Sequence, residues 1–573
     1  MPEGSGLTPR SLGLGIGITL FLASTSAYIA LRLGILPWPI IFSVVVSGGV
    51  LKVLTKGKTN VHEVNVAQAG GTIGGLLAAA VVFTIPGIIF LQRSGVRVSL
   101  PSIVQLIPIC IVGGLLGVLL SVPLRQRFIE EERLPYPEGT AGAVVLKAEV
   151  EGGRHALFFA SVLLLAGAFA LTRDMCFPCL SVIGLGIYLI LTPSLMGAGA
   201  GYILGPRPSG SWLLGAVVGW GLIIPGLVAL GWEAPDPWTI NAPVELIREM
   251  GMGLVLGSGL GSLLCYLTPK VPFGRGGIRR YRWILVASLV SWVVLCLCRV
   301  PPLASGIAIL GAWVMAPIAA RMTGETNIDP LEQFGIVVAL LCFGVYSLFH
   351  LPIGYHSSIL ICCFVATATA LAGDIGHDYK SAQIIGTRPG DILKVDLVCV
   401  IAAGVVVPFV LHTILGGYSD VLFTPAMPAP QATLVARSLF GFRYWPAFLA
   451  GLGIALGLEV ARRFSAFRNP IALMPFGIGM FLGMEMAIPL AIGGLFRHLV
   501  ERRYPDKGSG GLMVAAGLLG GEGLAGFALA ALIVAGIGKG VASLALVAVF
   551  VPLLAIALYM WSRSRGGEDV QSG

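Results

Sequence analysis

The sequence predicts an all-α polytopic membrane protein, and three observations predict it. Of the 573 residues, 56% are hydrophobic and 11% are charged, whereas a soluble protein carries about 25% charged residues. Apolar stretches of about 18 residues or more, long enough to cross a bilayer, recur along the chain. No polar stretch is long enough to form a soluble domain.

The apolar stretches give the predicted number of spans, which with weaker segments is roughly 16 transmembrane helices. Two segments rich in small residues, Gly70–Leu91 and Tyr355–Gly373, are predicted to be re-entrant. The first apolar stretch is long enough to span and is interpreted as helix one rather than as a signal peptide. The clearest stretches are Ser11–Leu31, Pro101–Val122, Trp212–Leu230, Trp283–Cys298, Ile392–Leu415, Trp445–Val460, Leu512–Ile537 and Val541–Met560.

Lysine and arginine in short loops predict the topology. Basic loops alternate along the first half, as at Lys52–Lys58 and Arg125–Arg133, so the positive-inside rule places the N-terminus in the cytoplasm. In the second half the basic clusters Arg462–Arg468 and Arg497–Lys507 cannot both be cytoplasmic if one span separates them. The C-terminal topology is therefore left open. The formal charge of +9 lies largely in these loops, so it does not indicate a nucleic-acid partner. The predicted location is the cell membrane.

A weak internal repeat divides the chain. Ser194–Gly205 (SLMGAGAGYILG) resembles Ala472–Gly483 (ALMPFGIGMFLG), and each continues into a proline-containing apolar segment and a glycine-dense helix. Transporters are often built from such repeats, with the substrate between them. We therefore expect two membrane halves, residues 1–277 and 278–573. A Pro-rich stretch within Tyr418–Arg443 is expected to be a loop outside the membrane.

The run Arg321–Pro330 (RMTGETNIDP) is the strongest indication of function. It places Arg321, Thr323, Glu325 and Asp329 between long apolar segments. Ionisable groups next to hydrocarbon are costly and mark sites or ion paths. A glycine and a proline in the run should interrupt the helix and turn backbone groups toward a cavity. The acids would hold a substrate amine, and the arginine would hold a carboxylate.

The segment Tyr136–Ala148 (YPEGTAGAVVLKA) is a second candidate substrate-binding element. Its proline suits the first turn of a helix, and Glu138 suits the positive end of the helix dipole. A half-helix of this kind would point its N-terminus, with Tyr136 and Glu138, at the substrate. An interfacial amphipathic helix with a capping acid explains the segment equally well.

Four further acids are candidates for proton coupling. Asp374 and Asp378 share a helix face beside His377, where a proton relay, a substrate contact, a plain charge cluster and a metal site are all open. Glu485 and Glu522 are single acids at apparent membrane depth. Since desolvation penalises an ionised carboxyl group, each is a candidate proton carrier, with Glu522 preferred. A structural hydrogen bond between helices is the alternative for both.

The sequence argues against an enzyme. None of the patterns GxxxxGK[ST], HExxH and GxSxG occurs, so the chain cannot be its own ATPase. Cys176–Cys179 (CFPC) has redox-motif spacing without a thioredoxin-like context, and a structural role is favoured. No cofactor and no resident metal are predicted.

Five segments together resemble those of a known family: NVAQAGGTIGGLLAAAVVFTIPG from Asn65, LPYPEGTAGAVVLKA from Leu134, ARMTGETNIDP from Ala320, AGDIGHDYKSAQIIGTRP from Ala372 and NPIALMPFGIGMFLGMEMAIPLAIGGLFR from Asn469. They resemble the oligopeptide transporter family, which includes the yellow stripe-like metal-chelate transporters. The resemblance implies a multi-spanning α-helical secondary transporter, usually proton-coupled, for small peptides, glutathione-like compounds or chelates of amino-acid-derived ligands. The NPG and KIPPR signatures of the fungal and plant peptide branch are not evident, so the chain looks closer to the bacterial and yellow stripe-like branch.

Together these features predict a proton-coupled symporter of oligopeptides or peptide-like metal chelates. Its partners would be the substrate, protons and the lipid bilayer. The alternatives are an intramembrane hydrolase that uses a thiol or a metal, and a gated channel. The sequence does not choose between peptide and chelate, and it leaves the direction of transport and the oligomeric state open.

Overall fold

The computed structural model confirms an all-α polytopic membrane protein. It describes residues 4–36, 39–56, 58–151, 155–176, 180–184, 187–191, 193–232, 242–266, 282–326, 329–424, 426–464, 471–504 and 508–566. The predicted boundary near Gly277 and most of the CFPC motif lie outside these residues. The division into two halves therefore stays a prediction.

In its described residues, the first part of the chain is helical apart from its loops and one short antiparallel hairpin, in which β1 (Leu180–Gly184) pairs with β2 (Ile187–Leu191). Two π-type turns, Gln126–Glu131 and Val217–Ile223, continue α5 and α9. The helices are α1 (Pro9–Leu33), α2 (Pro39–Leu54), α3 (Val61–Val82), α4 (Gly87–Arg93), α5 (Ile103–Arg125), α6 (Pro137–Glu151), α7 (His155–Cys176), α8 (Leu195–Leu204), α9 (Pro206–Ala216), α10 (Ile224–Ala229) and α11 (Ala242–Tyr266).

The second part of the chain contains helices only in its described residues. They are α12 (Arg282–Leu297), α13 (Pro302–Thr326), α14 (Leu331–Leu348), α15 (Tyr355–Ile385), α16 (Pro389–Gly417), α17 (Pro430–Phe440), α18 (Trp445–Phe464), α19 (Leu473–Leu482), α20 (Met484–Arg503), α21 (Gly508–Val534) and α22 (Lys539–Gly566).

Local sequence explains where these helices begin and end. Thr8 caps α1 through a bond from the backbone N–H of Ser11, Pro9 occupies the first turn, and Gly34 ends the helix in the left-handed conformation. Pro389 opens α16 in the same way. Eleven helical segments are long and apolar enough to cross a membrane, and five shorter apolar helices accompany them, among the described residues. The number of about 16 spans stays a prediction.

Three segments differ from the sequence-based expectation or refine it. Tyr355–Gly373 is not re-entrant, because it belongs to α15, which is continuous over 31 residues. Gly70–Leu91 is interrupted, since α3 ends at Val82 and α4 begins at Gly87. The Pro-rich stretch after Tyr418 packs against the protein, because the first residues of α17 are buried and Ala429 donates its N–H to the carbonyl of Leu31; its position outside the membrane stays a prediction.

Two interrupted helix pairs pack against each other reciprocally. Helices α8 and α9 are separated by Gly205, and α19 and α20 by Gly483; both glycines have left-handed φ, 85° and 80°. A Cβ atom at Gly201 of α8 would overlap the carbonyl oxygen of Leu490 on α20, and one at Gly479 of α19 would overlap that of Trp212 on α9.

The reciprocal contacts follow a single offset in the sequence. Gly479 follows Gly201 by 278 positions, and Leu490 follows Trp212 by the same 278 positions. The second contact is therefore the first one with the two repeats exchanged. A second set repeats it, since Gly215 meets the carbonyl of Phe476 and Gly493 meets that of Ala198. Exchange of partners at constant offset is the geometry that two repeats related by a twofold axis produce. It supports the predicted repeat, and it packs the two parts of the chain directly against each other.

We expect Gly201→Ala and Gly479→Ala each to lower the thermal stability of the detergent-solubilised protein. The added methyl group must push two backbones apart, which costs about 1–3 kcal/mol in a packed interior. Gly453→Ala is the matched control, because nothing lies within 4 Å of a Cβ there. A thermal midpoint unchanged by Gly201→Ala would contradict the close approach of α8 and α20.

Candidate functional site

A cavity of about 470 Å³ lies between helices from both parts of the chain. Its walls combine apolar side chains, such as Leu76, Phe83 and Met474, with a concentration of acids. Helices α3, α6, α15, α17, α19 and α20 all contribute to its lining. The ionisable and polar lining residues include Glu138, Asp329, Glu332, Asp374, His377, Asp378, Arg497, Thr72 and Gln431.

The cavity lining is strongly acidic. Five of its carboxyl groups face a single guanidinium, that of Arg497, among the described lining residues. Arg497 donates to the carbonyl oxygen of Ile203 at 2.6 Å and to Glu501 at 2.6 Å. Because such acids repel one another in an enclosed space, the cavity favours protons and cationic groups.

Asp329 lies at the interruption between α13 and α14, where the sequence predicted a broken helix. Neither of its carboxylate oxygens has a hydrogen-bond partner among the described residues, and the same holds for Oε1 of Glu332. Thr323 is buried, and its hydroxyl also has no partner there. A Cβ at Gly373 would lie 3.1 Å from Asp329 Oδ2, so α15 packs closely against the carboxylate of Asp329. Asp329 and Glu332 line the cavity, whereas Thr323 does not, so the oxygens of these two acids are available to a ligand that brings donors.

Asp374 and Asp378 line the same cavity from α15. The carboxylate of Asp378 accepts hydrogen bonds from Gln68 Nε2 at 2.7 Å and from Thr72 Oγ1 at 3.0 Å, both on α3. Neutral donors stabilise a carboxylate without cancelling its charge. Asp378 therefore keeps a fixed position and can still take up a proton.

His377 joins the start of α6 to α15. Its Nδ1 accepts a hydrogen bond from the backbone N–H of Gly139 at 3.1 Å, so the neutral ring carries its proton on Nε2. That atom lies 3.7 Å from Oε2 of Glu138, which lines the cavity. The N-terminus of α6 thus reaches the cavity through Glu138, while its Gly139 N–H is already used.

Tyr136 positions this junction and does not line the cavity. Its hydroxyl donates to the carbonyl oxygen of Ala320 at 2.8 Å, and its N–H donates to that of Gly324 at 2.9 Å. Burial, and to a lesser degree the carboxylates of Asp374 and Glu132, raises the pKa of the Tyr136 hydroxyl above its usual range. The hydroxyl therefore stays protonated and keeps its bond to α13.

The other predicted site residues lie outside the cavity lining. Arg321 and Glu325 form an ion pair at 3.0 Å along α13, with side chains that are partly exposed. Glu485 lies in the first turn of α20 and interacts electrostatically with Arg248, whose guanidinium stacks on Phe481 at 5.3 Å.

Glu522 is fully buried and charge-compensated. It lies 2.9 Å from Arg32 Nη1 of α1 and 3.0 Å from Arg173 Nη1 of α7. It also accepts the N–H of Met196 at 3.0 Å and lies 3.4 Å from the hydroxyl of Ser194, at the start of α8. One carboxylate therefore links four helices near the reciprocal packing of α8 and α20.

Comparison with known proteins decides the family. The family model described as "OPT oligopeptide transporter protein" matches residues 6–269 and 279–533. The chain belongs to the OPT oligopeptide transporter family. It is therefore a multi-pass membrane transporter, which points away from an enzyme, and the short unmatched interval includes the predicted boundary at Gly277.

Relatives of this OPT chain come from bacteria and plants. It is 25% identical to the "Putative oligopeptide transporter" of Haemophilus influenzae, over 90% of this chain and 93% of that protein. It is 23% identical to "Probable metal-nicotianamine transporter YSL17" of Oryza sativa subsp. japonica, over 76% and 74% of the two chains. It is also 23% identical to "Metal-nicotianamine transporter YSL3" of Arabidopsis thaliana, over 71% and 70%.

Several residues at the transporter cavity were missed by the sequence analysis. Glu332 follows Asp329 by three positions, but the predicted site stopped at the proline between them. Gln68 and Thr72 lie one turn apart in a segment that was noted for its glycines, so their polar face was overlooked. Arg497 was counted only as a loop charge. Among the described residues, no group of three or more His, Cys, Asp and Glu side chains is arranged to hold a metal ion.

We expect Glu522→Gln to destabilise the OPT fold by about 3–5 kcal/mol, because it leaves two buried guanidinium groups without their counter-charge. Adding Arg32→Gln should recover part of the loss, since the buried charge then returns to its original net value. Thermal unfolding in detergent measures both. Glu325→Gln is the control, because its partly exposed pair is worth about 0–1 kcal/mol. A double variant less stable than Glu522→Gln would contradict this electrostatic account.

Proposed function

We propose that the protein is a secondary active transporter that carries short peptides or peptide-like metal chelates across the cell membrane together with protons. The relatives are named as a putative oligopeptide transporter and as a metal-nicotianamine transporter, and both kinds of compound carry amine and carboxylate groups. The chain contains no P-loop motif that would supply energy from ATP. A gradient of protons across the membrane is therefore the proposed source of energy.

The observation that carries the proposal is the acidic cavity with acceptors that lack donors. The volume of about 470 Å³ lies within the range of roughly 300–1,000 Å³ that is typical of small-molecule sites. A substrate ammonium group would supply the donors that both oxygens of Asp329 and Oε1 of Glu332 do not find among the described residues. An unsatisfied buried acceptor costs about 1–3 kcal/mol, so a substrate that satisfies these atoms gains affinity.

The opposite end of the substrate would meet Arg497 and the start of α6. Arg497 is the one guanidinium in the described cavity lining, and a guanidinium fork suits a carboxylate. Glu138, in the first turn of α6, also lines the cavity and would contact a second amine or the peptide N–H groups. Arg321 and Glu325 precede Asp329 by eight and four positions in the sequence. Those two residues would contact the substrate only after a movement of α13, so the proposal rests on Asp329.

The coupled proton is proposed to bind at Asp374 and Asp378. Peptides and amino-acid chelates bring carboxylates into a cavity that already holds five carboxyl groups. Protonation of Asp374 or Asp378 removes part of this repulsion, so proton and substrate favour each other's binding. Such mutual favouring is the requirement for symport. Glu522 was the first choice from the sequence, but the two arginine partners favour a carboxylate that stays ionised.

Transport by proteoliposomes tests the proposal. Labelled tri- to pentapeptides and iron chelates should accumulate when the source side is acidic, and a protonophore should abolish the accumulation. We expect Asp329→Asn to raise the apparent KM for the transported compound at least about tenfold, which corresponds to about 1.4 kcal/mol.

A control variant and two outcomes decide whether the coupling and the binding site are correctly assigned. Asp420→Asn makes the same chemical change in an exposed loop and should leave KM unchanged. If uptake of every candidate substrate is unaffected by the pH gradient and by the protonophore, the proposed proton coupling is wrong. Proton-driven uptake with normal KM in Asp329→Asn would keep the coupling and reject the assigned binding site.

A further inference from the structure

Asp396 of α16 is a buried acid that no part of the proposed substrate site uses. Its side chain is 0% exposed, and neither carboxylate oxygen has a hydrogen-bond partner among the described residues. It does not belong to the cavity lining. An ionised carboxylate without donors in such a place would cost many kcal/mol. In this conformation the group is therefore a neutral carboxylic acid that holds a proton.

The neighbours of Asp396 connect it to the cavity. From α15 it faces Asp378, with which it interacts electrostatically, and Tyr379. From its own helix it interacts electrostatically with Cys399. From α1 and α3 the adjoining face of α16 meets Gly15 and Gly70, which bring no charge. Asp378 itself lines the cavity and is held by two neutral donors.

Through Tyr379, Asp396 is also connected to the C-terminal end of α5. The hydroxyl of Tyr379 lies beside Ser121, and the guanidinium of Arg125 stacks on the Tyr379 ring at 5.6 Å. The Arg125 side chain is 25% exposed. Arg125 belongs to a basic loop that the positive-inside rule places in the cytoplasm.

The N-terminal segment marks the same end of the molecule. Asp391, in the first turn of α16, accepts hydrogen bonds from the N–H of Gly6 and the hydroxyl of Ser5. The predicted topology puts this segment in the cytoplasm as well. Asp396 lies seven residues into α16, or about 10 Å from its start at 1.5 Å per residue. It therefore stands between the cavity and the predicted cytoplasmic surface.

We propose that Asp396 is a proton-binding site that takes over the coupled proton from Asp378 and releases it toward the cytoplasm. In this conformation Asp396 holds the proton, which it first releases to water, becoming a carboxylate. The Asp378 carboxylic acid then passes its own proton to the Asp396 carboxylate and becomes a carboxylate in turn. A water molecule or a side-chain rotation bridges the two groups. Release follows when water reaches Asp396 from the Tyr379–Arg125 side. This inference rests on the proton coupling of the proposed function.

Proton stoichiometry in proteoliposomes tests the inference. Wild-type protein, Asp396→Asn and the control Asp420→Asn are compared with the membrane potential clamped at zero. Each proton coupled to a substrate can raise accumulation up to about tenfold per pH unit of gradient. We expect Asp396→Asn to lose one proton per substrate, and so up to about tenfold in accumulation per pH unit, while substrate exchange without a gradient persists.

A second variant covers the case in which Asp396→Asn does not fold. Asp396→Glu keeps a titratable group at a displaced position, so accumulation should persist with a shifted dependence on cytoplasmic-side pH. Unchanged stoichiometry in folded Asp396→Asn, or an unchanged pH profile in Asp396→Glu, would overturn the inference. A sodium gradient that replaces the proton gradient in wild type would overturn it too. Wild-type uptake that no gradient affects would instead be a failure of the proposed coupling itself.

Discussion

The free energy of placing a charge in an apolar interior is the constraint on which the rest of this structure depends. The protein meets it in three ways. Glu522 is matched by two arginines, Asp378 is held by two neutral donors, and Asp329 and Asp396 have no donor among the described residues. The first arrangement fixes a charge permanently, whereas the last leaves a group that must bind a proton or a cation. The partners of a buried acid, and not its depth in the membrane, thus distinguish an acid that holds the structure together from one proposed to bind a proton or a cation.

Much of the site could be predicted from the sequence because its acids stand out locally. Asp329 interrupts two apolar segments, and Asp374 and Asp378 share one face of α15; all three line the cavity. The partners of these groups could not be predicted in the same way. Arg32 and Glu522 are 490 positions apart, and no local pattern links them. Glu522 therefore looked like an isolated acid, which is the property that made it the preferred proton carrier.

The architecture places the cavity where two parts of the chain meet. The broken pairs α8–α9 and α19–α20 exchange partners at a constant offset, with glycines at each crossing. The sequence repeat anticipated the paired segments, but the crossing itself needed the structure. Transporters that rock one repeat against the other expose such a central site to each side in turn. Here the same movement would change the access of water to Asp329 on one side and to Asp396 on the other.

The central claim is that the acidic cavity binds substrate and proton together. Titration calorimetry measures this directly, because binding in buffers of different ionisation enthalpy gives the number of protons taken up per substrate. The account predicts uptake of at least one proton with each bound peptide or chelate at neutral pH, as protonation relieves carboxylate repulsion. Binding without a change in protonation, or with proton release, would contradict it, because the substrate would then replace the proton rather than accompany it.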